Sequence, residues 1–191
     1  MPDLTFILLN GPPYSGKDTF AGIIKKHYGS ITTHRKFSAP LKQGLEEMFR
    51  LTDHEVDKLE ADKGTPSPLL GGMSWRDAQI WLSEEVMKPK FGADIFGRLL
   101  CKPFEGGVDP RRRLAVVSDS GFITEAQVVR DRFGAHNVHV VELHKPGCSF
   151  KGDSRSYWSD ANWNRHVLHN DGTLADYETK VLQLTRFIMQ W

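Results

Sequence analysis

The chain has 191 residues, 39% of them hydrophobic, with 25 Lys and Arg against 24 Asp and Glu and a formal charge of +1. That length lets one α/β domain bury a core without metals or disulfides, and the balanced charge excludes a strong overall field toward nucleic acid or membrane, so any basic surface is local. Cys101 and Cys148 stand far apart and outside any CxxC pair, which predicts free thiols in a reducing compartment.

Acidic Asp3 and a short apolar run are unlike a signal peptide, and no stretch reaches membrane-spanning length, so the expectation is a protein of the cytoplasm. Residues 4–9 form an apolar run ended by Asn10-Gly11-Pro12-Pro13, which suits a buried parallel strand feeding a tight loop. Residues 18–27 carry Phe20, Ala21, Ile23 and Ile24 at helical spacing and close at Tyr28-Gly29. A second strand is expected over 31–37 and a helix over 40–50, with Leu41, Leu45, Met48 and Phe49 on one side. Residues 63–73, rich in Gly, Pro and Ser, read as a mobile loop. Ser74 then caps a helix that buries Trp75, Ile80, Trp81, Leu82 and Val86 and stops at Pro89.

After a turn-rich connection at 105–110, residues 114–119 form a second buried strand ending in a carboxylate, followed by a helix over 124–133 and a strand over 137–144. Residues 145–165 turn polar and predict a lid rather than core. Val167-Leu168 begins a last short strand, and a terminal helix over 173–190 opens with Thr173 and Asp176 spaced as a capping pair. Strands alternating with helices imply one α/β domain, a parallel sheet with helices on both faces.

Gly11 and Gly16 are four residues apart and followed by Lys17, the spacing at which backbone N–H groups curl around phosphate oxygens of a nucleotide such as ATP. Ser15 belongs to the same loop, Lys17 adds a point charge, and the N-terminus of the next helix aims at the same anion. Where the general pattern has Ser or Thr after the lysine, this chain has Asp18, with Thr19 next. Asp18 either helps hold Mg²⁺ while Thr19 reaches a phosphate, or is an acidic first-turn residue that stabilises the helix.

The Gly-Lys-Asp-Thr loop, Phe37-Ser38-Ala39-Pro40-Leu41-Lys42, the strand ending at Asp119 and Asn170-Asp171-Gly172-Thr173-Leu174 together resemble the bacteriophage deoxynucleoside monophosphate kinase group of P-loop kinases. The resemblance implies an ATP and Mg²⁺ donor, an adjacent nucleotide acceptor site and a lid. It puts Asp119 beside the metal or makes it the base toward the acceptor, and places Asn170 and Gly172 near the adenine. Arg155 would be the lid arginine that neutralises the transferred phosphoryl group.

The similarity breaks after Asp119. The family's kinases place an arginine two residues on, where it clamps the acceptor phosphate, but this chain reads Asp119-Ser120-Gly121-Phe122. Either Arg76 or Arg98 replaces it, or the acceptor is a hydroxyl on a nucleotide already in DNA. Asp119-Ser120-Gly121-Phe122 is similar to the phage kinases that phosphorylate 5-hydroxymethyluracil in DNA during thymine hypermodification, which would place the protein in the host cytoplasm. Lys145, Lys151, Arg155 and Arg165 lie among Phe150, Tyr157, Trp158 and Trp163, a mixture that can grip a phosphate backbone and stack a flipped base. Phe122 or Trp158 would fill the vacated stack or serve as ordinary packing. Transfer to free deoxynucleoside monophosphates is the alternative, and a non-catalytic ATP-binding protein the third reading. His139 and His144 lack the spacing of a metal site, and Ser118 and Ser120 lack the surroundings of a hydrolase nucleophile. The sequence sets no oligomeric state.

Overall fold

The computed structural model describes residues 4–107, 109–153, 155–160 and 162–190. Asp3, and Ser154 within the Gly152–Arg155 stretch, lie outside them. Five strands form one sheet in the order β2-β3-β1-β4-β5, every pairing parallel. They are β1 (Thr5–Asn10), β2 (Thr32–Arg35), β3 (Leu114–Val117), β4 (Val138–His144) and β5 (Asn164–His169). The helices are α1 (Lys17–Tyr28), α2 (Ala39–Phe49), α3 (Asp53–Ala61), α4 (Trp75–Trp81), α5 (Lys88–Phe91), α6 (Ile95–Cys101), α7 (Ile123–Phe133) and α8 (Leu174–Met189).

The apolar run of β1 has helices on both sides because successive residues of a strand point to opposite faces. Phe6 and Leu8 join a core with Leu45 of α2, Trp75 of α4, Phe96 of α6 and Val129 of α7. Ile7 and Leu9 join another with Phe20 and Ile24 of α1 and Val181 of α8. The chain steps one way from β1 to β2 and the other way from β4 to β5, so the connections after β1 and β4 diverge and open a crevice at the carboxyl ends of the strands. The loop at 11–16, Asp119, the 145–163 connection and Asn170 all meet that edge. The fold is α/β, with the strand–loop–helix order of a P-loop protein.

Several local expectations are corrected. Pro89 does not end its helix. Residues 82–87 form a wide π-helical turn in which Lys88 N donates to Ser83 O, and the helix runs on through Pro89 to Phe91 as α5. Ile80 and Trp81 are exposed rather than buried, because positions 75, 78 and 82 share the inward face. The 63–73 segment is no featureless loop: Ser67 caps a short 3₁₀ turn at Pro68–Leu70, Leu70 is fully buried, and Pro66 bridges to Ser74. The last strand starts earlier than expected and takes Arg165 out of the lid. Trp158 and Trp163, expected at a mobile surface, are buried in the first core, where flat indoles fill space a polar chain could not. Cys101 and Cys148 are both free, and no described helix is long and apolar enough to cross a membrane.

Helices α6 and α7 cross closely at Gly97. A methyl group there would run into the Glu125 carbonyl oxygen and stand 2.9 Å from Val128 Cβ. Backbone at that contact cannot yield as a flexible side chain would, so Gly97→Ala should destabilise by about 1–3 kcal/mol. Thermal melting would read this as a drop of several degrees, and an unchanged melting temperature would mean that the helices separate at no cost.

Candidate active site

β1 delivers the chain into the 11–16 loop at the centre of the sheet's carboxyl edge. Gly16 has φ 106°, and a side chain there would also meet Asn170 Nδ2 at 2.7 Å and the Tyr177 hydroxyl at 3.2 Å. Glycine is therefore required both by conformation and by space. The loop is braced from behind: Asn170 Nδ2 donates to Ser15 O at 3.1 Å and the Tyr177 hydroxyl to Gly16 O at 3.1 Å. Lys17 Nζ curls over it, donating to Gly11 O at 2.7 Å and Pro12 O at 2.6 Å. Burial and the nearby Arg155 guanidinium hold the Lys17 ammonium down to about 8. The buried Ser15 hydroxyl has no partner among the described residues.

Asp18 lies on the first turn of α1, with Oδ1 accepting from Lys36 Nζ at 2.8 Å and from Ser118 Oγ at 3.2 Å. Burial pushes its carboxyl up, but the Lys36 hydrogen bond and charge and the Ser118 hydroxyl outweigh that and hold it below the ordinary carboxylate range. Thr19 is exposed on the same turn. Gly172 precedes α8, where a side chain would crowd the Asp176 carboxylate that caps the helix with Thr173.

Asp119 is placed at the β3 end, yet both its oxygens are engaged. Oδ1 accepts from Phe37 N at 2.8 Å, and Oδ2 from Ser38 N at 2.9 Å and Ser38 Oγ at 2.7 Å. The carboxylate read from the sequence as metal ligand or base thus pins the turn between β2 and α2. Beside it, Ser120 is buried, and Gly121 lies directly under the Arg155 side chain: a methyl group on Gly121 would sit 2.6 Å from Arg155 Cγ and still closer to Cδ. The Arg155 guanidinium is a fork on Asp153, Nε to Oδ1 at 2.8 Å and Nη2 to Oδ2 at 2.5 Å. Phe122 carries Lys88 Nζ 4.1 Å above its ring, and Lys88 also pairs with Glu84 at 2.7 Å.

Lys17, Asp18, Asp119 and Arg155 are therefore one electrostatic cluster, which Asp153 joins. Arg76 is exposed on α4 within reach of the charge of Asp153, while Arg98 is tied to Asp94 of the same segment and to the Phe91 carbonyl. Trp158 is 3% exposed with its indole N–H on Gly121 O at 3.3 Å, so it packs under the strand end instead of receiving a base.

Two residues not singled out from the sequence lie in the neighbourhood of these groups. Buried Asn10 donates to Ser120 O at 3.0 Å and Ser156 O at 3.2 Å, tying β1 to the β3 end and the 145–163 connection. A polar residue closing an apolar strand was its only signal. Glu125, in the first turn of α7, is 4% exposed, and burial drives its carboxyl up to about 7. A cavity of about 470 Å³ lies at the ends of β4 and β5, lined by His144, Phe150, Tyr157, His169 and Asp171 among others. His144 and Tyr157 stack there at 4.2 Å. A cavity of about 480 Å³ beside β2 reaches Thr32 at the opposite end of the sheet, away from the loop.

No protein-family model matches the chain, and no curated protein matches it significantly. Among solved structures it is similar to an unliganded sugar kinase from Janibacter sp. HTCC2649, at 16% identity over 98% of this chain and 95% of that one, with a TM-score of 0.43. It is also similar to a gluconokinase from Sinorhizobium meliloti 1021, at 12% identity over 100% and 97% of the two chains, again with a TM-score of 0.43.

Proposed function

We propose that the protein is an ATP-dependent P-loop kinase whose acceptor is a hydroxyl, and that this hydroxyl is the 5-hydroxymethyl group of 5-hydroxymethyluracil in phage DNA. The observation that carries the kinase reading is the convergence of Lys17 and Arg155 at the mouth of a braced, glycine-shaped loop. Two cations at that point suit the charge that spreads over a phosphoryl group in transfer. The aromatic cavity at 144–171 adjoins the loop's Asn170 brace and suits the donor base.

The hydroxyl acceptor is supported by the state of the cations on the other side. Arg98 is paired with Asp94 and Lys88 with Glu84, which leaves Arg76, exposed on α4 and without an ion pair among the described residues, as the cation there that could hold a dianionic phosphate. The DNA base itself comes from the resemblance of Asp119-Ser120-Gly121-Phe122 to the hydroxymethyluracil kinases. One observation favours the free-monophosphate alternative: Arg155 occupies the space over Gly121 that an arginine at that position would use.

Mg²⁺ fits the donor site. Asp18 has a second carboxylate oxygen with no partner among the described residues, and the buried Ser15 hydroxyl is unpaired. Mg²⁺ keeps several waters and takes only one or two carboxylates beside phosphates, so Asp18 is the better candidate and Asp119, with hydrogen bonds on both oxygens, the poorer. The ion would screen the donor phosphates. The test offers γ-labelled ATP with hydroxymethyluracil-containing DNA or with free deoxynucleoside monophosphates. Label on DNA is expected. Label only on free nucleotides selects the alternative, and ATP binding without transfer selects a non-catalytic protein.

A further inference from the structure

We infer that the cavity beside β2 is a second binding site, separate from the phosphate loop, for a small phosphomonoester that carries an apolar or aromatic portion. The cavity holds about 480 Å³, within the range of small-molecule pockets, and lies at the edge of the sheet, where β2 has β3 on one side only. The strand register pairs Thr33 with Ala115 and Arg35 with Val117, both members of the first core, so Thr33 and Arg35 point to that face of the sheet. Pro103 and Phe104, from the 3₁₀ turn at Lys102–Phe104, give the same cavity an apolar wall. Phe104 is held in place by edge-to-face contacts with Phe6 and Phe133.

Two guanidiniums make the cavity a receptor for an anion. Arg112 is half-buried and held through one nitrogen: Nη1 donates to Gly29 O at 2.9 Å and Thr32 O at 2.7 Å, with Ser30 O at 3.4 Å. Its Nε and Nη2 have no hydrogen bond, and the guanidinium no ion pair, among the described residues. Asp109, the carboxylate in the wall, is turned to Arg111 instead, taking Nε on Oδ1 at 3.1 Å and Nη2 on Oδ2 at 2.9 Å. Arg35 is exposed, its guanidinium carbon 5.9 Å from the centre of the Phe104 ring, and its side chain has no ion pair or hydrogen bond among the described residues.

A phosphomonoester is close to dianionic at neutral pH and offers three strong acceptor oxygens, which match two guanidiniums with donors to spare. The Thr33 hydroxyl, also without a hydrogen bond among the described residues, can donate to the remaining oxygen. The organic portion then lies on Pro103 and Phe104. The phosphate loop follows β1, which is two strands away across β3, about 10 Å at the usual strand spacing. A ligand in this cavity is therefore held rather than phosphorylated, and the site does not depend on which acceptor the kinase uses.

The test titrates phenyl phosphate into the full chain at about pH 7 and follows the arginine Nε–H signals by NMR, those of Arg35 and Arg112 being assigned by substitution. Saturable shifts are expected at both. Arg35→Ala breaks no internal hydrogen bond, so it should weaken binding by roughly 10–100-fold with the melting temperature unchanged. Arg35→Lys keeps the charge without the fork and should fall between the two. Lys17→Ala should bind phenyl phosphate as the wild type does. Benzoate, with the same ring and a single charge, should bind at least about tenfold more weakly. The inference is overturned by an absence of saturable binding, by binding that Arg35→Ala leaves intact or Lys17→Ala abolishes, or by benzoate binding equally well. It is also overturned if a short single-stranded oligonucleotide shifts both arginines and phenyl phosphate does not, since these cations would then follow a nucleic-acid backbone.

Discussion

Lys17→Ala should lower kcat by roughly 10²–10³-fold while leaving the melting temperature nearly unchanged. In the free protein its ammonium serves only to hold the carbonyls of Gly11 and Pro12, bonds that the donor phosphates would replace. The pH dependence makes this role measurable. Because burial and Arg155 hold Lys17 down to about 8, the free protein loses this positive charge as pH rises through that value. A polyanionic donor would bind the charged form, so above about pH 8 each molecule bound would first have to recover a proton. The dissociation constant of an ATP analogue should therefore be flat below pH 8 and climb by up to about tenfold per pH unit above it. Lys17→Arg keeps its charge throughout this range and should abolish the climb even where its different shape lowers kcat. A flat profile to pH 9.5 in the wild type would mean that Lys17 does not touch the phosphates.

What was legible in the sequence is what is local. The strand, the Gly-x4-Gly-Lys loop and the helix follow one another within 25 residues, and Thr173 with Asp176 announces the start of α8 from three residues apart. Thr52 and Glu55 carry the same kind of capping pair, so α3 is written just as plainly. The contacts that shape the candidate site join distant segments. Asn10 bonds across separations of 110 and 146 residues, and the amides that donate to Asp119 come from 81 and 82 residues away. No spacing rule could show that a strand-end carboxylate is already occupied.

The burial of Glu125 depends on Gly97 letting α6 settle on its backbone, so a first-turn glutamate that looks like a solvated helix start becomes an isolated acid. Trp158 and Trp163 teach the converse. Their segment is rich in Gly, Ser and Asp and reads as surface, but local composition does not record which part of the sheet face still needs covering.

Arg155→Ala should lower kcat by about 10²–10³-fold, and Gly121→Ala should reproduce most of that loss although it removes no charge. The reason is steric. A methyl group on Gly121 would stand 2.6 Å from Arg155 Cγ, well inside contact distance, and closer still to Cδ. Those atoms belong to a flexible side chain, so it can swing aside and the fold survives, with a stability change of about 1 kcal/mol or less. The guanidinium then leaves the mouth of the loop. Glycine at 121 is thus the complement of arginine at 155: the strand end contributes no cation, and its bare backbone makes room for one brought from the 145–163 connection. Because both substitutions act through one side chain, their effects should not add, and the double variant should be no slower than Arg155→Ala by more than a small factor. Steady-state kinetics on the two single variants and the double, with melting temperatures as the control, completes the cycle. Full activity in Gly121→Ala beside an inactive Arg155→Ala would show that the arginine works from another position, and additive losses would show that Gly121 meets the acceptor on its own account.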